Sequence, residues 1–280
     1  MSDFLPKEEF VDGAGGLKIL IRSWRPTGPA RGVVVISHGL NSHSGQYAWA
    51  AQQFVANGFA VYGADLRGRG KSEGQRFFVK QIGEYVGDVD LAVKLAKARE
   101  PGLPVFMLGH SVGGVVACTY ALDHPTELAG LICESFAFRV PAPRPALNLL
   151  EWIGSWAPSL GVLKLRNKDF TRDPVALATL NGDPLIANET QPAGTVAALW
   201  KADKRLEVSF PKIILSVLIL HGSADKATLP AGSEFFHKTA GSKDKTLKIY
   251  PGYFHDLLAD TGKEAVIADI QAWIHARMPK

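Results

Sequence analysis

The segment LPVFMLGHSVGGVVA, residues 103–117, decides how this chain is read. A short apolar run of strand length, 103–110, stops at Gly109-His110, and a helical pattern runs on from Val112 to Asp123. Between them stands Gly-His-Ser-Val-Gly, a G-x-S-x-G motif at 109–113. With 28 glycines in 280 residues, the motif alone says little. The strand before it and the helix after it give it weight, because a tight strand-to-helix turn lifts a serine above the end of a sheet. Gly109, Gly113 and Gly114 are then required, since side chains there would collide with the neighbouring strand and helix. Ser111 becomes the candidate nucleophile, beside a helix N-terminus that favours developing negative charge.

The flanking sequence repeats the same alternation. GVVVISHG (32–39) reads as a buried strand, Gln46–Asn57 as a helix closed by Gly58, FAVYGADL (59–66) as a strand and Ile82–Arg99 as a helix. LAGLICES (128–135) is the strand after the Ser111 helix, and GLKILIRSW (16–24) alternates like an edge strand. After residue 139 the pattern breaks into a Pro-rich, then apolar stretch without strand alternation, including Asp-Pro pairs at 173–174 and 183–184. It resumes with SVLILHG (216–222), a helix over Leu229–Ala240, TLKIYPG (246–252) and a helix over Lys263–Arg277. The sequence therefore predicts an α/β fold, a mostly parallel sheet with helices on both faces. Residues 1–138 and 209–280 would form the core, and 139–208 a helical cap insertion.

Composition narrows the class. Hydrophobic residues make up 46% and charged residues 21%, the balance of a globular chain rather than a disordered one. The net charge of +4 comes from scattered Lys and Arg, which reads as a solvated surface and not as a nucleic-acid footprint. Cys118 and Cys133 lack CxxC spacing and fall in apolar segments, as buried reduced thiols do. MSDFLPKEEF carries no signal-peptide pattern, and the longest apolar run, Ile213–Leu220, is too short to span a bilayer. A soluble, cytoplasmic protein is expected.

A serine nucleophile needs a base that titrates near neutrality, and that base needs an acid to fix its tautomer. In this strand–turn–helix setting the chain order is Ser, Asp or Glu, then His. Asp225 follows the strand ending HGSAD, and His255 follows the strand ending YPGYFH. Both fall at strand C-terminal ends, the edge where open α/β sheets bind ligands. Ser111, Asp225 and His255 are the candidate catalytic residues. His110 flanks the nucleophile and points away from it, His124, His237 and His275 lie in or at the ends of helices, and His221 breaks the chain order. Asp256 adjoins His255 and cannot readily turn back to its ring. The Val112 N–H and the Leu40 N–H, from the His38-Gly39-Leu40 loop, are the candidate oxyanion donors. GKS at 70–72 mimics the tail of a P-loop, but Asp65 stands where the motif needs Gly and no helical pattern follows directly. His38 and His43 lack the spacing of a zinc site, so neither metal nor cofactor is expected.

Together SHGLNSHSGQY (37–47), ADLRGRGKSEG (64–74), GHSVGG (109–114), HGSAD (221–225) and PGYFH (251–255) resemble the α/β-hydrolase fold family. More narrowly, they are similar to its monoacylglycerol lipase and lysophospholipase branch, grouped with serine aminopeptidase-like hydrolases. The resemblance runs from about residue 16 to the C-terminus and implies a Ser111–Asp225–His255 triad under a helical cap. It departs at Ser42 and Gln46, where that branch often carries Glu and Arg, so a carboxylate–guanidinium pair that helps shape a polar-head pocket is missing. Val112 replaces the commoner Met, and Ser216 a common Pro.

The insertion is rich in Leu, Ile and Trp; Leu150, Ile153 and Trp156 are its candidate substrate-binding residues. An apolar cap over a serine triad implies an uncharged, apolar small-molecule ester with an alkyl or aryl acyl group, cleaved through an acyl-enzyme. The cap could also touch a membrane surface transiently, although it lacks a dense row of Lys and Arg. Thioester or aminoacyl hydrolysis on the same triad, and a non-catalytic ligand-binding role, stay open at this level.

Overall fold

A computed structural model describes residues 5–279. Its main sheet has eight strands: β1 (Lys7–Asp12), β2 (Lys18–Trp24), β3 (Gly32–Ser37), β4 (Phe59–Ala64), β5 (Val105–His110), β6 (Gly130–Glu134), β9 (Ser216–Gly222) and β10 (Lys245–Tyr250). The spatial order is β1-β2-β4-β3-β5-β6-β9-β10. The β1–β2 and β2–β4 pairings are antiparallel, and the other pairings in this sheet are parallel. The intervening helices are α1 (Ala48–Ala56), α2 (Ile82–Arg99), α3 (Val112–Asp123), α7 (Pro230–Thr239) and α8 (Lys263–His275). Between β6 and β9 lie α4 (Arg144–Trp156), α5 (Pro174–Gly182) and α6 (Ala193–Ser209), with a small ribbon of β7 (Gly161–Leu163) and β8 (Gln191–Pro192).

The central strands are apolar on both faces because helices cover both. Val33, Val35, Tyr62, Val105, Met107 and Val217 pack with α2, α3 and α6 on one side. Their neighbours Val34, Ile36, Val61, Phe106, Leu108 and Leu218 pack with α1 and α8 on the other. The period-two alternation within each strand thus divides the core into two layers. Cys118 and Cys133 are buried free thiols with sulfurs 3.7 Å apart. Among the described residues no helix is long and apolar enough to cross a membrane.

Three local expectations change. β2 is not an edge, because Lys7–Asp12 pairs outside it. KEEFVD is mostly charged and carries no apolar alternation, so only pairing with β2 makes it a strand. The first turn of the expected Gln46–Asn57 helix is a 3₁₀ turn over Ser44–Tyr47. The segment after β6 contains the β7–β8 ribbon, whose strands of three and two residues are too short to show a period.

Candidate active site

Ser111 sits between β5 and α3 at φ 55° and ψ −119°, a strained conformation for a residue with a Cβ. The turn is over-determined. Ser111 N–H donates to the Glu134 carbonyl at 2.8 Å, and Gly114 N–H to the Ser111 carbonyl at 2.9 Å. A Cβ on Gly113 would run into the Ser37 carbonyl oxygen, so β3 can lie against the start of α3 only if this residue is glycine. The His38-Gly39-Leu40 loop is held in the same way. His38 donates from Nδ1 to the Gly39 carbonyl at 2.8 Å and accepts the Leu66 N–H on Nε2 at 3.0 Å. Burial lowers its pKa to about 4, so the imidazole is neutral and acts as a clamp. Gly39 passes so close to Ser111 that an added Cβ would lie 3.0 Å from the Ser111 Cβ. Leu40 and Val112 both line the cavity that holds Ser111 and His255, and among the described residues neither N–H donates to a backbone carbonyl.

The His255 ring is gripped on two sides. His110 and Phe170 lie with ring centroids 4.9 Å and 5.0 Å away, both tilted. Nδ1 of His255 donates to Asp225 Oδ2 at 2.7 Å, which leaves Nε2 as the unprotonated nitrogen. Ser111 and His255 face the same cavity, and no hydrogen bond joins the two side chains. Asp256 makes no bond to the ring; its backbone N–H donates to the Phe170 carbonyl at 2.8 Å.

Asp225 collects more donors than its sequence neighbourhood announces. Oδ2 also accepts from Thr228 Oγ1 at 2.7 Å and His221 Nε2 at 3.1 Å, while Oδ1 accepts the N–H groups of Ala227 and Thr228 at 2.7 and 3.0 Å. Burial alone would raise its pKa; the imidazole of His255 and these hydrogen bonds outweigh it and hold the carboxyl well below the usual range. His221 is thus a second histidine on the same carboxylate, its Nδ1 accepting from Ser233 Oγ at 2.7 Å. Chain order dismisses it, and only the fold brings it in. Thr228 had a local signal, since a residue three after an Asp commonly donates back to it in an Asx turn.

Among the described residues one group of three could offer donors to a metal: His110, Glu134 and Asp256, with ligand atoms within 4.8 Å of one another. Burial pushes Glu134 well above the usual carboxylate range and Asp256 up to about 6, and it lowers His110 to about 3. Burial thus disfavours the charged form of each of the three.

The cavity has a volume of about 350 Å³. Leu150 lines it, Ile153 is half-buried and outside the lining, and Trp156 is 78% exposed. Where the related branch carries Glu and Arg, Ser42 is buried and Gln46 donates to Asp183 Oδ2 at 2.9 Å, an oxygen that also bonds His43 at 2.8 Å. A different carboxylate–guanidinium pair is buried nearby, Arg69 with Glu189, and Glu189 also accepts the Asn41 N–H at 3.0 Å. The GKS segment serves the fold: Lys71 N–H and Ser72 Oγ bond Asp65 at 2.8 and 2.6 Å.

The sheet order, the strained serine turn and the histidine–aspartate pair at the strand ends make this an α/β-hydrolase. Residues 28–262 match the family described as "Serine aminopeptidase, S33", and the chain belongs to that family. It is 32% identical over 269 residues to a monoacylglycerol lipase of Mycolicibacterium smegmatis, covering 95% of this chain and 96% of the relative. It is 32% identical over 276 residues to the monoglyceride lipase of Homo sapiens, covering 94% and 89%. The crystal structure of Paleococcus ferrophilus monoacylglycerol lipase superposes with a TM-score of 0.84 at 28% identity, over 92% of this chain and 99% of that one.

Proposed function

We propose that this carboxylic-ester hydrolase works through an acyl-enzyme on Ser111. His255 Nε2 takes the Ser111 proton as Oγ attacks the ester carbonyl, and Asp225 stabilises the imidazolium. The oxyanion is received by the N–H groups of Leu40 and Val112. His255 then protonates the departing alcohol, and a water molecule repeats the cycle on the acyl-enzyme. The observation that carries this reading is the 2.7 Å bond from His255 Nδ1 to Asp225, which leaves Nε2 basic in the cavity that also holds Ser111.

The substrate is a small apolar ester of the monoacylglycerol type. Supporting this are the Leu, Val and Ala side chains around the nucleophile and the monoacylglycerol lipases among the relatives. Residues 139–208 act as a cap over the core. Leu149, Trp152, Trp156 and Leu160, which do not line the cavity, are exposed, which suits transient contact with a lipid surface.

The test is hydrolysis of p-nitrophenyl butyrate and of a panel of monoacylglycerols, lysolipids, acyl-thioesters and aminoacyl arylamides, with fluorophosphonate labelling alongside. Ser111→Ala should lose both labelling and turnover, the latter by several orders of magnitude, with an unchanged circular dichroism spectrum. Undiminished ester hydrolysis by a folded Ser111→Ala protein would falsify the mechanism. Preference for the thioesters or arylamides would move the substrate class.

A further inference from the structure

Helix α6 carries an acid where a buried apolar stripe calls for a hydrocarbon. Val196, Leu199, Asp203 and Leu206 follow one another at the spacing of a single helical face. Asp203 is 7% exposed, and its Oδ1 is fully buried without a partner. Among the described residues neither an ion pair nor a hydrogen bond compensates it; burial, with Glu207 adding in the same direction, pushes its carboxyl well above the usual range. Burial thus favours the protonated carboxyl, which both donates and accepts. Buried polar groups without partners are rare in native proteins, and a leucine here would complete the stripe at lower cost.

The position of Asp203 shows what would pair it. It lines the cavity of Ser111 and His255 and also a second chamber of about 240 Å³. Val140, Leu147 and Trp200 border both, so Asp203 stands at their junction. A ligand reaching that junction from Ser111 passes between Val140, Ala142, Leu147 and Trp200 and meets the Asp203 carboxyl there, with Arg139, Arg144 and Glu207 lining the chamber beyond. A cationic chain is disfavoured, because the three cations Lys164, Arg166 and Lys226 line the same cavity against the two acids Asp169 and Asp203.

We propose that Asp203 is a specificity-determining residue that hydrogen-bonds a hydroxyl on the acyl chain, making hydroxyacyl esters the preferred substrates. This rests on Ser111 being the nucleophile of an ester hydrolase. The hydroxyl and the carboxyl satisfy one another, while a plain alkanoyl chain leaves the acid buried and unpaired. Selectivity of this kind arises where a site is built to bond a polar group that the competitor lacks.

The experiment compares kcat/KM for p-nitrophenyl esters of straight-chain acids, butanoyl to dodecanoyl, with their ω-hydroxy and ω-amino counterparts. Wild-type protein, Asp203→Leu and Asp203→Asn are assayed in parallel. Wild type should favour the ω-hydroxy ester by roughly tenfold at the one or two chain lengths that reach the junction. Asp203→Leu should bring that ratio to about one and raise turnover of the plain ester, while Asp203→Asn should keep most of the preference. A merely structural acid would change the melting temperature and leave the ratio alone. A ratio of one at every length in wild type, an unchanged ratio in Asp203→Leu, or a preference for the amino ester overturns the proposal while ester hydrolysis stands. Absence of turnover with every ester overturns both.

Discussion

Five donors converge on Asp225: Nδ1 of His255, Nε2 of His221, Oγ1 of Thr228 and the N–H groups of Ala227 and Thr228. Such saturation keeps a buried carboxylate ionised and its orientation fixed. Thr228→Val should therefore lower kcat about tenfold, the loss of one charge-assisted hydrogen bond, with KM nearly unchanged in steady-state assays of a soluble ester. Glu134 shows the opposite balance. Burial raises its pKa, so the folded chain keeps a proton that the unfolded chain releases above about 4.5. Stability then falls as pH rises through that window, by up to about 1.4 kcal/mol per pH unit for one such group. Glu134→Gln keeps the acceptor for the Leu258 N–H and removes the titration. Its melting temperature should match wild type near pH 4 and exceed it at pH 8; equal melting temperatures at both would refute the assignment. Ser111, Asp225 and His255 were legible because each follows a recognisable strand. His221 was not, because its partnership with Asp225 depends on how two strand ends meet.

At the scale of elements, the serine turn and the strap around Phe170 fix the site. Gly113→Ala would drive a methyl group into the Ser37 carbonyl, pushing β3 from α3, and is expected to yield little soluble protein. The strap is tied to the His255 loop by Asp260, which accepts the Arg172 N–H at 2.7 Å, Arg172 Nε at 2.8 Å and the Phe254 N–H at 3.0 Å. Asp260→Ala should cost about 2 kcal/mol in chemical denaturation and lower kcat more than it raises KM, since the His255 ring loses its brace. Helix α4 shows what periodicity alone leaves unresolved. Nine residues separate Leu147 from Trp156, and at 3.6 residues per turn that places them on opposite sides. Leu147 and Leu150 therefore face the cavity while Trp152 and Trp156 face outward, although all four read as apolar cap residues. Sequence revealed an apolar helix; which of its two apolar faces met the core depended on α6.

For the whole molecule, the segment between β6 and β9 is fastened to the sheet at separate points. Arg69 pairs with Glu189, the Asn41 N–H bonds Glu189, and His43 and Gln46 bond Asp183. Trp152 and Trp156 on the outer face of α4 stay exposed. The double substitution Trp152→Ser and Trp156→Ser should reduce co-sedimentation with phosphatidylcholine vesicles and slow hydrolysis of dispersed monoolein. Hydrolysis of soluble p-nitrophenyl butyrate should stay within about twofold, since neither tryptophan lines the cavity. Equal losses on both substrates would place these residues in folding rather than in lipid contact.

Local sequence determined the alternation of strands and helices, the G-x-S-x-G turn and the order of the three candidate catalytic residues. Each depends on periodicity or on the conformational freedom of residues near one another in the chain. The outermost strand, His221 beside Asp225, the outward turn of Trp156 and the unpaired carboxyl of Asp203 were decided by tertiary structure. Charged strands, shared carboxylates and two-faced helices acquire their meaning only from partners far away in sequence, because burial and pairing are properties of the assembled layers.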